Sequence, residues 1–174
     1  RRLVPRMGVD TLIEAMPLLL DRKPDLILVV GSDGPLRLTL ERRMETLGIQ
    51  DHIRFTGFIS YEDLPLYYQA ADLFVMPTKA LEGFGLPTIE SMACGTPTLG
   101  TDIGSNTEII GGFDPRLLIP EATPEGISKT VLSAFDLCAS DDRIRTRCRQ
   151  YVEERFNWDH LIDTLEETYR SLKD

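Results

Sequence analysis

The sequence predicts an α/β fold, in which a Rossmann-like parallel sheet is covered by helices on both faces in three layers. Short aliphatic runs, typical of buried strands, alternate with segments whose apolar residues recur at helical spacing. Glycines and prolines separate the two kinds of segment, and this alternating order favours parallel strands joined by helical crossovers. At 174 residues the chain is long enough to form one packed domain.

The individual elements follow from apolar spacing and from turn residues at their ends. A first helix carries Val9, Leu12 and Met16 on one face and stops before Pro24. The predicted strands are short apolar runs and comprise residues 26–30, 52–55, 72–76, 96–100 and 116–119. The predicted helices between them cover residues 34–47, 61–71 and 87–94. The chain from about residue 124 to 173 is predicted to be helical, in two or three pieces.

Composition and charge exclude several functions. The net charge of −9 argues against nonspecific binding to nucleic acid or to an anionic membrane surface. No apolar run approaches the roughly 18 residues of a membrane span. The three cysteines lack CxxC spacing, which disfavours a disulfide framework or a zinc site and favours a reducing cytoplasm. The chain begins without an initiator Met or a signal-peptide pattern, so we expect it to be part of a longer protein.

The loop before the helix at 87–94 is the most informative segment. Two glycines flank Phe84, and Pro87 marks a helix start whose free N–H groups suit a diphosphate. Glu82 and Glu90 stand on either side of this start, where carboxylates can accept hydrogen bonds from hydroxyl groups. In a purely structural interpretation, Glu82 is a solvated loop residue and Glu90 complements the helix dipole.

A second glycine-containing turn follows the strand at 26–30. Residues 31–35 read Gly-Ser-Asp-Gly-Pro and lead directly into a helix. Such a turn either lets the backbone approach a phosphate or only makes a tight strand-to-helix connection. The sequence leaves these alternatives open, because the turn matches neither GxGxxG nor a P-loop.

Several motifs together carry a family resemblance. Glu82 and Glu90 form an E-x7-E pattern around EGFGL, and RLVP at residues 2–5 precedes Gly8. The turn at 28–35, the segment at 53–57 and Phe156-Asn157-Trp158 match further motifs in the same order. Across nearly its whole length, the chain resembles the donor-binding, C-terminal half of retaining glycosyltransferases of group 1, the GT4-like family of the GT-B fold.

The resemblance implies roles for individual residues in binding a nucleoside-diphosphate sugar. Glu90 would bind the ribose hydroxyls, Glu82 the hydroxyls of the donor sugar, and Arg2 would neutralise the leaving diphosphate. The remaining donor-site residues implied by the resemblance are Gly31, Ile53, Arg54, Phe84, Gly85, Leu86 and Thr88. Of these, residues 84–86 would offer N–H groups, residues 53 and 54 would meet the base, and residue 88 would add a hydroxyl. No metal or cofactor is expected, because the sequence contains no Asp-x-Asp.

Position 7 departs from the family pattern. The family carries Lys before the glycine of its opening loop, and that Lys pairs with the diphosphate, whereas this chain has Met7. Arg6 is adjacent and approaches from a different direction. The alternative to an enzyme is therefore a noncatalytic binding or assembly domain of the same fold. A sugar-nucleotide epimerase of GT-B architecture is a weaker alternative, because it is not expected to carry EGFGL-x3-E.

The resemblance also implies what the rest of the protein would do. A sugar, lipid-linked or small-molecule acceptor would be bound mainly by an N-terminal domain, so the fragment alone would bind nucleotide without transferring sugar. The implied location is cytoplasmic, peripheral to the membrane in the longer form, with no nucleic acid as partner. The closing segment, which includes Trp158, Leu165 and Tyr169, would expose an apolar helix face and permit self-association.

Overall fold

Five short parallel strands form the centre of the fold. The computed structural model describes residues 2–172; Arg1, Lys173 and Asp174, and with them the end of the helical region predicted to reach residue 173, lie outside the described residues. The strands are β1 (Leu28–Val30), β2 (Ile53–Phe55), β3 (Phe74–Met76), β4 (Thr98–Thr101) and β5 (Leu118–Ile119). Every pairing is parallel, as the sequence predicts.

The sheet is divided, which the sequence does not predict. β1 pairs with β2, whereas β3, β4 and β5 form a second sheet in that order. The opening loop bridges the two sheets instead of pairing as a strand. The N–H of Leu3 donates to the carbonyl of Asp33 at 2.9 Å, and the N–H of Lys79 donates to that of Arg6 at 2.8 Å. β1 and β3 therefore each have one strand partner among the described residues.

Eight α-helices surround the strands in the described part of the chain. They are α1 (Val9–Leu20), α2 (Arg37–Thr46), α3 (Leu64–Ala70), α4 (Leu86–Ala93), α5 (Ser105–Phe113), α6 (Pro124–Ser140), α7 (Ile144–Arg155) and α8 (Trp158–Ser171). Helix α1 packs on α2 and α6, whereas α4 packs on α3, α5 and α7. The predicted helical C-terminal region is thus three helices.

The apolar core lies between the strands and these helices. Its fully buried side chains come from both kinds of element and include Ile13, Met16, Leu99, Ile110, Ile119 and Ile127. Burying one such side chain contributes about 1.5–3 kcal/mol relative to leaving it in water. The alternation of strand and helix in the sequence therefore corresponds to one contiguous core.

Helix α8 leaves its apolar residues uncovered by the described part of the chain. Trp158 is 77% exposed, and Leu161, Leu165 and Tyr169 are exposed as well. Asn157 caps the helix, because its side chain accepts a hydrogen bond from the N–H of Asp159. The predicted apolar face is therefore present, while self-association through it stays a prediction.

Candidate functional site

The segment between β3 and α4 is irregular and carries both candidate carboxylates at or near its ends. Leu81 adopts a left-handed backbone with φ of 57°. Helix α4 then begins after Gly85, which has φ of 73°, and no side chain among the described residues caps it. The first-turn N–H groups of a helix have no partner within the helix, and they make its N-terminus electropositive. The structure therefore places an uncapped helix start directly after EGFG.

Glu82 is buried and held in place at the carboxyl end of β3. Its Oε2 accepts a hydrogen bond from the Thr78 hydroxyl at 2.9 Å. The Thr101 hydroxyl donates in turn to the carbonyl of Thr78 at 2.5 Å. A Cβ at position 104 would lie 2.1 Å from the carbonyl oxygen of Glu82, so only glycine permits this close approach. The solvated-loop interpretation of Glu82 is therefore wrong.

Glu90 lies on α4 and is linked to α3. Its Oε2 accepts a hydrogen bond from the Tyr68 hydroxyl at 3.2 Å. The Tyr68 ring stands edge-on to Phe74 of β3, with centroids 5.2 Å apart. The side chain of Glu90 is therefore oriented by a neighbouring helix. Glu90 is only partly buried, so its carboxylate also remains accessible to a ligand.

Thr88 lies where α4 and α5 begin. The residue is fully buried, and its hydroxyl donates to Oδ1 of Asn106 at 3.2 Å. That hydrogen bond links α4 to the first turn of α5, which also begins without a side-chain cap. Thr88 therefore supports the two helix starts, and its contact with a phosphate stays a prediction.

Asn106 and Ser105 belong to the site region, and the sequence reasoning did not select them. The buried Oγ of Ser105 and Nδ2 of Asn106 make no hydrogen bond within the described part of the chain. A Cβ at Gly85 would lie 3.1 Å from that Oγ, so the N-termini of α4 and α5 meet at this point. In the sequence they follow Gly104, directly after the strand predicted at 96–100.

The opening loop contacts the EGFGL segment through Arg6 rather than through Arg2. Nη1 of Arg6 donates to the carbonyl of Leu81 at 3.0 Å. Arg2 is exposed at the start of the described residues. Met7 is 5% exposed and presents no cation. Arg6 therefore contacts the chain just before Glu82, at the carbonyl of Leu81.

The glycine turn after β1 lies beside the loop that follows β2. The backbone of Gly31 packs against the side chain of Ile59. At Gly34, a Cβ would lie 2.6 Å from the backbone nitrogen of Leu3. The turn is therefore tightly packed on the opening loop, and its contact with a phosphate stays a prediction.

Ile53 and Arg54 lie away from the edge of the sheet where the other candidates gather. They occupy the first two positions of β2, and Ile53 is buried opposite Leu28. The guanidinium of Arg54 donates to the carbonyl of Gln50 at 3.2 Å. The loop at 56–60, which follows the carboxyl end of β2, is instead the part of this region next to Gly31. The contact of Ile53 and Arg54 with the base stays a prediction.

The described part of the chain offers neither a cluster of metal-binding side chains nor a helix suited to span a membrane. No group of three or more His, Cys, Asp or Glu side chains is arranged to hold a metal ion in the described part of the chain. None of the helices there combines the length and apolar character needed to cross a membrane.

Comparisons with known proteins agree with this geometry. The chain is 29% identical over 178 residues to a GDP-mannose-dependent alpha-(1-6)-phosphatidylinositol monomannoside mannosyltransferase of Mycobacterium tuberculosis, covering 97% of this chain and 46% of that protein. It is 40% identical over 172 residues to mannosylfructose-phosphate synthase of Agrobacterium fabrum, covering 94% of this chain and 38% of that protein. The chain thus spans less than half the length of these relatives.

A solved structure gives the same result for the fold. The chain superimposes on sucrose-phosphate synthase of Thermosynechococcus elongatus with a TM-score of 0.81 and 30% identity, covering 98% of this chain and 43% of the other. The family described as "Glycosyl transferases group 1" matches residues 1–155, which include β1 to β5 and the EGFGL segment. The chain belongs to the group 1 glycosyl transferases and has the Rossmann-like fold of a C-terminal GT-B domain.

Proposed function

We propose that this chain is the donor-binding domain of a retaining glycosyltransferase that transfers a hexose from a nucleoside-diphosphate sugar. One observation carries the proposal: the uncapped start of α4 stands between two oriented carboxylates, Glu82 and Glu90. A diphosphate fits the N–H groups of such a helix start. Hydroxyl groups of the sugar and of the ribose fit the carboxylates on either side.

The same arrangement supplies a chemical mechanism. Breaking the bond between sugar and diphosphate builds negative charge on the leaving group. Fixed N–H dipoles at residues 84–86 and the Arg2 guanidinium would stabilise that charge as it develops in the transition state. Glu82 would hold the donor sugar as its reacting carbon becomes oxocarbenium-like. In this proposal the reaction uses no metal and no cofactor.

The partners of this domain follow from its relatives. Their names specify GDP-mannose, mannosylfructose phosphate and sucrose phosphate, so a hexosyl donor is proposed here as well. We propose that a sugar, lipid-linked or small-molecule acceptor binds mainly to sequence beyond this chain, and that the chain alone transfers nothing. The proposed location is cytoplasmic and peripheral to the membrane, with the three cysteines unpaired as they are in the structure.

Calorimetric titration with UDP, GDP and ADP tests donor binding. At least one nucleotide should bind, and Glu90→Ala should weaken it about tenfold through loss of charge-assisted hydrogen bonds to the ribose. Glu45→Ala is the matched control, because Glu45 is an exposed residue of α2 outside the site. Absence of binding to all three nucleotides at millimolar concentration would contradict the proposal.

The buried Met7 favours one alternative, a noncatalytic domain that keeps the fold for binding or assembly. Substituting Met7→Lys in a protein that also carries an acceptor-binding domain separates the two functions. A large gain in transfer rate would indicate an enzyme that lacks one cation. Nucleotide binding without transfer in either form would indicate the noncatalytic domain.

A further inference from the structure

We propose that Phe156 is a positioning residue for the donor site: it fixes Phe84 and thereby the loop at 83–86. This inference rests on the proposed function, because the loop matters if its N–H groups bind donor. Phe156 lies 72 positions after Phe84 and ends α7 as its C-cap residue. Its ring is edge-on to the Phe84 ring, with centroids 5.9 Å apart and an interplanar angle of 72°.

The loop itself provides little to hold it. Glu82, just before the loop, is anchored by its hydrogen bond to Thr78. Gly85, within the loop, lies against the start of α5. Between them, a Cβ at Gly83 would meet nothing within 4 Å, so the backbone there runs through open space. Phe84 is the one loop side chain between two flexible glycines, and it is 53% exposed. The contact with Phe156 therefore restrains the part of the loop that packing otherwise leaves free.

Phe156 is itself fixed by a row of aromatic rings. Its centroid lies 6.2 Å from that of Tyr151, and the Tyr151 centroid lies 5.4 Å from that of Phe113. The guanidinium of Arg155 stacks 4.9 Å from the Tyr151 centroid. Gly112 gives the Tyr151 hydroxyl its space, because a Cβ there would lie 2.7 Å from that oxygen. The row connects the end of α5 to the EGFGL loop.

The row also borders open space next to the proposed donor site. Phe84, Tyr151 and Phe156 line a cleft of about 640 Å³ that also reaches Ser105 at the start of α5. If Phe156 served only to pack α8, it would cover the apolar face of that helix. Trp158 and the other apolar residues of that face are instead exposed. The ring of Phe156 contacts Phe84 of the loop and also packs against the apolar core, so it ties the loop to the rigid part of the domain.

The test compares ligands that reach the loop with ligands that do not. Phe156→Ala should weaken binding of the nucleoside diphosphate and its hexose conjugate by about threefold to tenfold, the range expected for loss of an aromatic pair. Binding of the unphosphorylated nucleoside should stay unchanged. Phe156→Tyr keeps the ring and should restore wild-type affinity.

Two controls separate positioning from stability. Phe135→Ala removes a partly buried ring on α6, next to Lys23 and outside the site, and should leave the ratio of diphosphate to nucleoside affinity unchanged. In a double-mutant cycle, Phe84→Ala should remove most of the effect of Phe156→Ala, because both substitutions break the same contact. Without ligand, Phe156→Ala should shift or broaden the amide resonances of Gly83 and Gly85.

The outcomes are distinct. If Phe156→Ala weakened all ligands equally and so left the ratio of diphosphate to nucleoside affinity unchanged, as Phe135→Ala should, the positioning role would be overturned. Additive effects of the Phe84 and Phe156 substitutions on affinity would also overturn it. Unchanged Gly83 and Gly85 amide resonances would overturn it as well, even without nucleotide. Failure of the wild-type chain to bind any nucleotide would instead overturn the proposed function.

Discussion

The hydroxyl of Thr78 donates a hydrogen bond to Oε2 of Glu82 across 2.9 Å in the interior of the domain. Thr78 is the second residue after β3, and the hydroxyl of Thr101 at the end of β4 fixes its carbonyl. Two neighbouring strand ends therefore determine where the carboxylate of Glu82 lies. This contact makes Glu82 a preorganised group rather than a mobile loop side chain.

Removing the Thr78 hydroxyl should affect both stability and donor binding. Thr78→Val keeps the shape of the side chain but leaves a buried carboxylate oxygen without this donor, which costs about 1–3 kcal/mol. We expect the free energy of unfolding to fall by that amount and the affinity for a nucleotide sugar to fall with it. Thr78→Ser, which keeps the hydroxyl, should retain both. Equal behaviour of the Val and Ser variants would contradict the assigned contact.

Tyr68→Phe tests the orientation of Glu90. The substitution deletes the hydroxyl that lies 3.2 Å from Oε2 while keeping the edge-on contact with Phe74. Loss of one hydrogen bond of about 1.5 kcal/mol should weaken nucleoside diphosphate binding roughly tenfold, as measured by calorimetry. The double variant with Glu90→Gln should show much less than the sum of the single effects. Full additivity would mean that Tyr68 acts independently of Glu90.

Asp114 should make the stability of the domain depend on acid pH. Hydrogen bonds from the Arg116 side chain lower the pKa of the Asp114 carboxyl. Because the folded pKa is depressed, the stabilisation is complete above the ordinary value of about 4 and is lost as pH falls through the lower folded pKa. Asp114→Asn removes the charge that faces Arg116 and should therefore lower the free energy of unfolding near neutral pH, by less than about 1 kcal/mol because solvent screens the exposed Arg116. Chemical denaturation should show that the difference in free energy of unfolding between wild type and Asp114→Asn disappears at acid pH. A difference that does not change with pH would contradict this dependence on the Asp114 carboxylate.

The cysteines should differ in reactivity. Burial raises the pKa of the Cys148 thiol to about 12, so little thiolate forms at mildly alkaline pH. Cys94 and Cys138 are only partly buried. Mass spectrometry after iodoacetamide treatment should find Cys148 unmodified in the folded chain and fully modified in denaturant. Alkylation of Cys148 as fast as that of Cys94 in the folded chain would contradict its burial.

The sequence predicted all five strands and most of the helices, because buried parallel strands and amphipathic helices have distinct periodicities, but it did not predict α5 between β4 and β5. The E-x7-E pattern likewise identified Glu82 and Glu90, since loop, helix start and spacing are all local properties. The division into two sheets was not predictable in this way, because it depends on which strands form hydrogen bonds with each other, and apolar periodicity does not indicate that pairing. β1 and β2 read as ordinary members of one sheet, yet neither pairs with β3.

Contacts between distant segments were also beyond the sequence. Thr88 resembles a free hydroxyl at a helix start, and only the fold shows that Asn106 takes its hydrogen bond. The bond from Arg6 to the carbonyl of Leu81 joins residues 75 positions apart. Arg54 likewise reaches the carbonyl of Gln50, a contact that apolar spacing does not indicate.

The most direct test of the central claim is the two-dimensional amide NMR spectrum of the ¹⁵N-labelled chain during titration with a nucleoside diphosphate. The claim is that the diphosphate binds at the start of α4, between Glu82 and Glu90. We expect the largest chemical-shift changes at the amides of Gly83, Phe84, Gly85 and Leu86, because their N–H groups would bind the phosphate oxygens. Saturable shifts centred elsewhere, with these four amides unmoved, would contradict it.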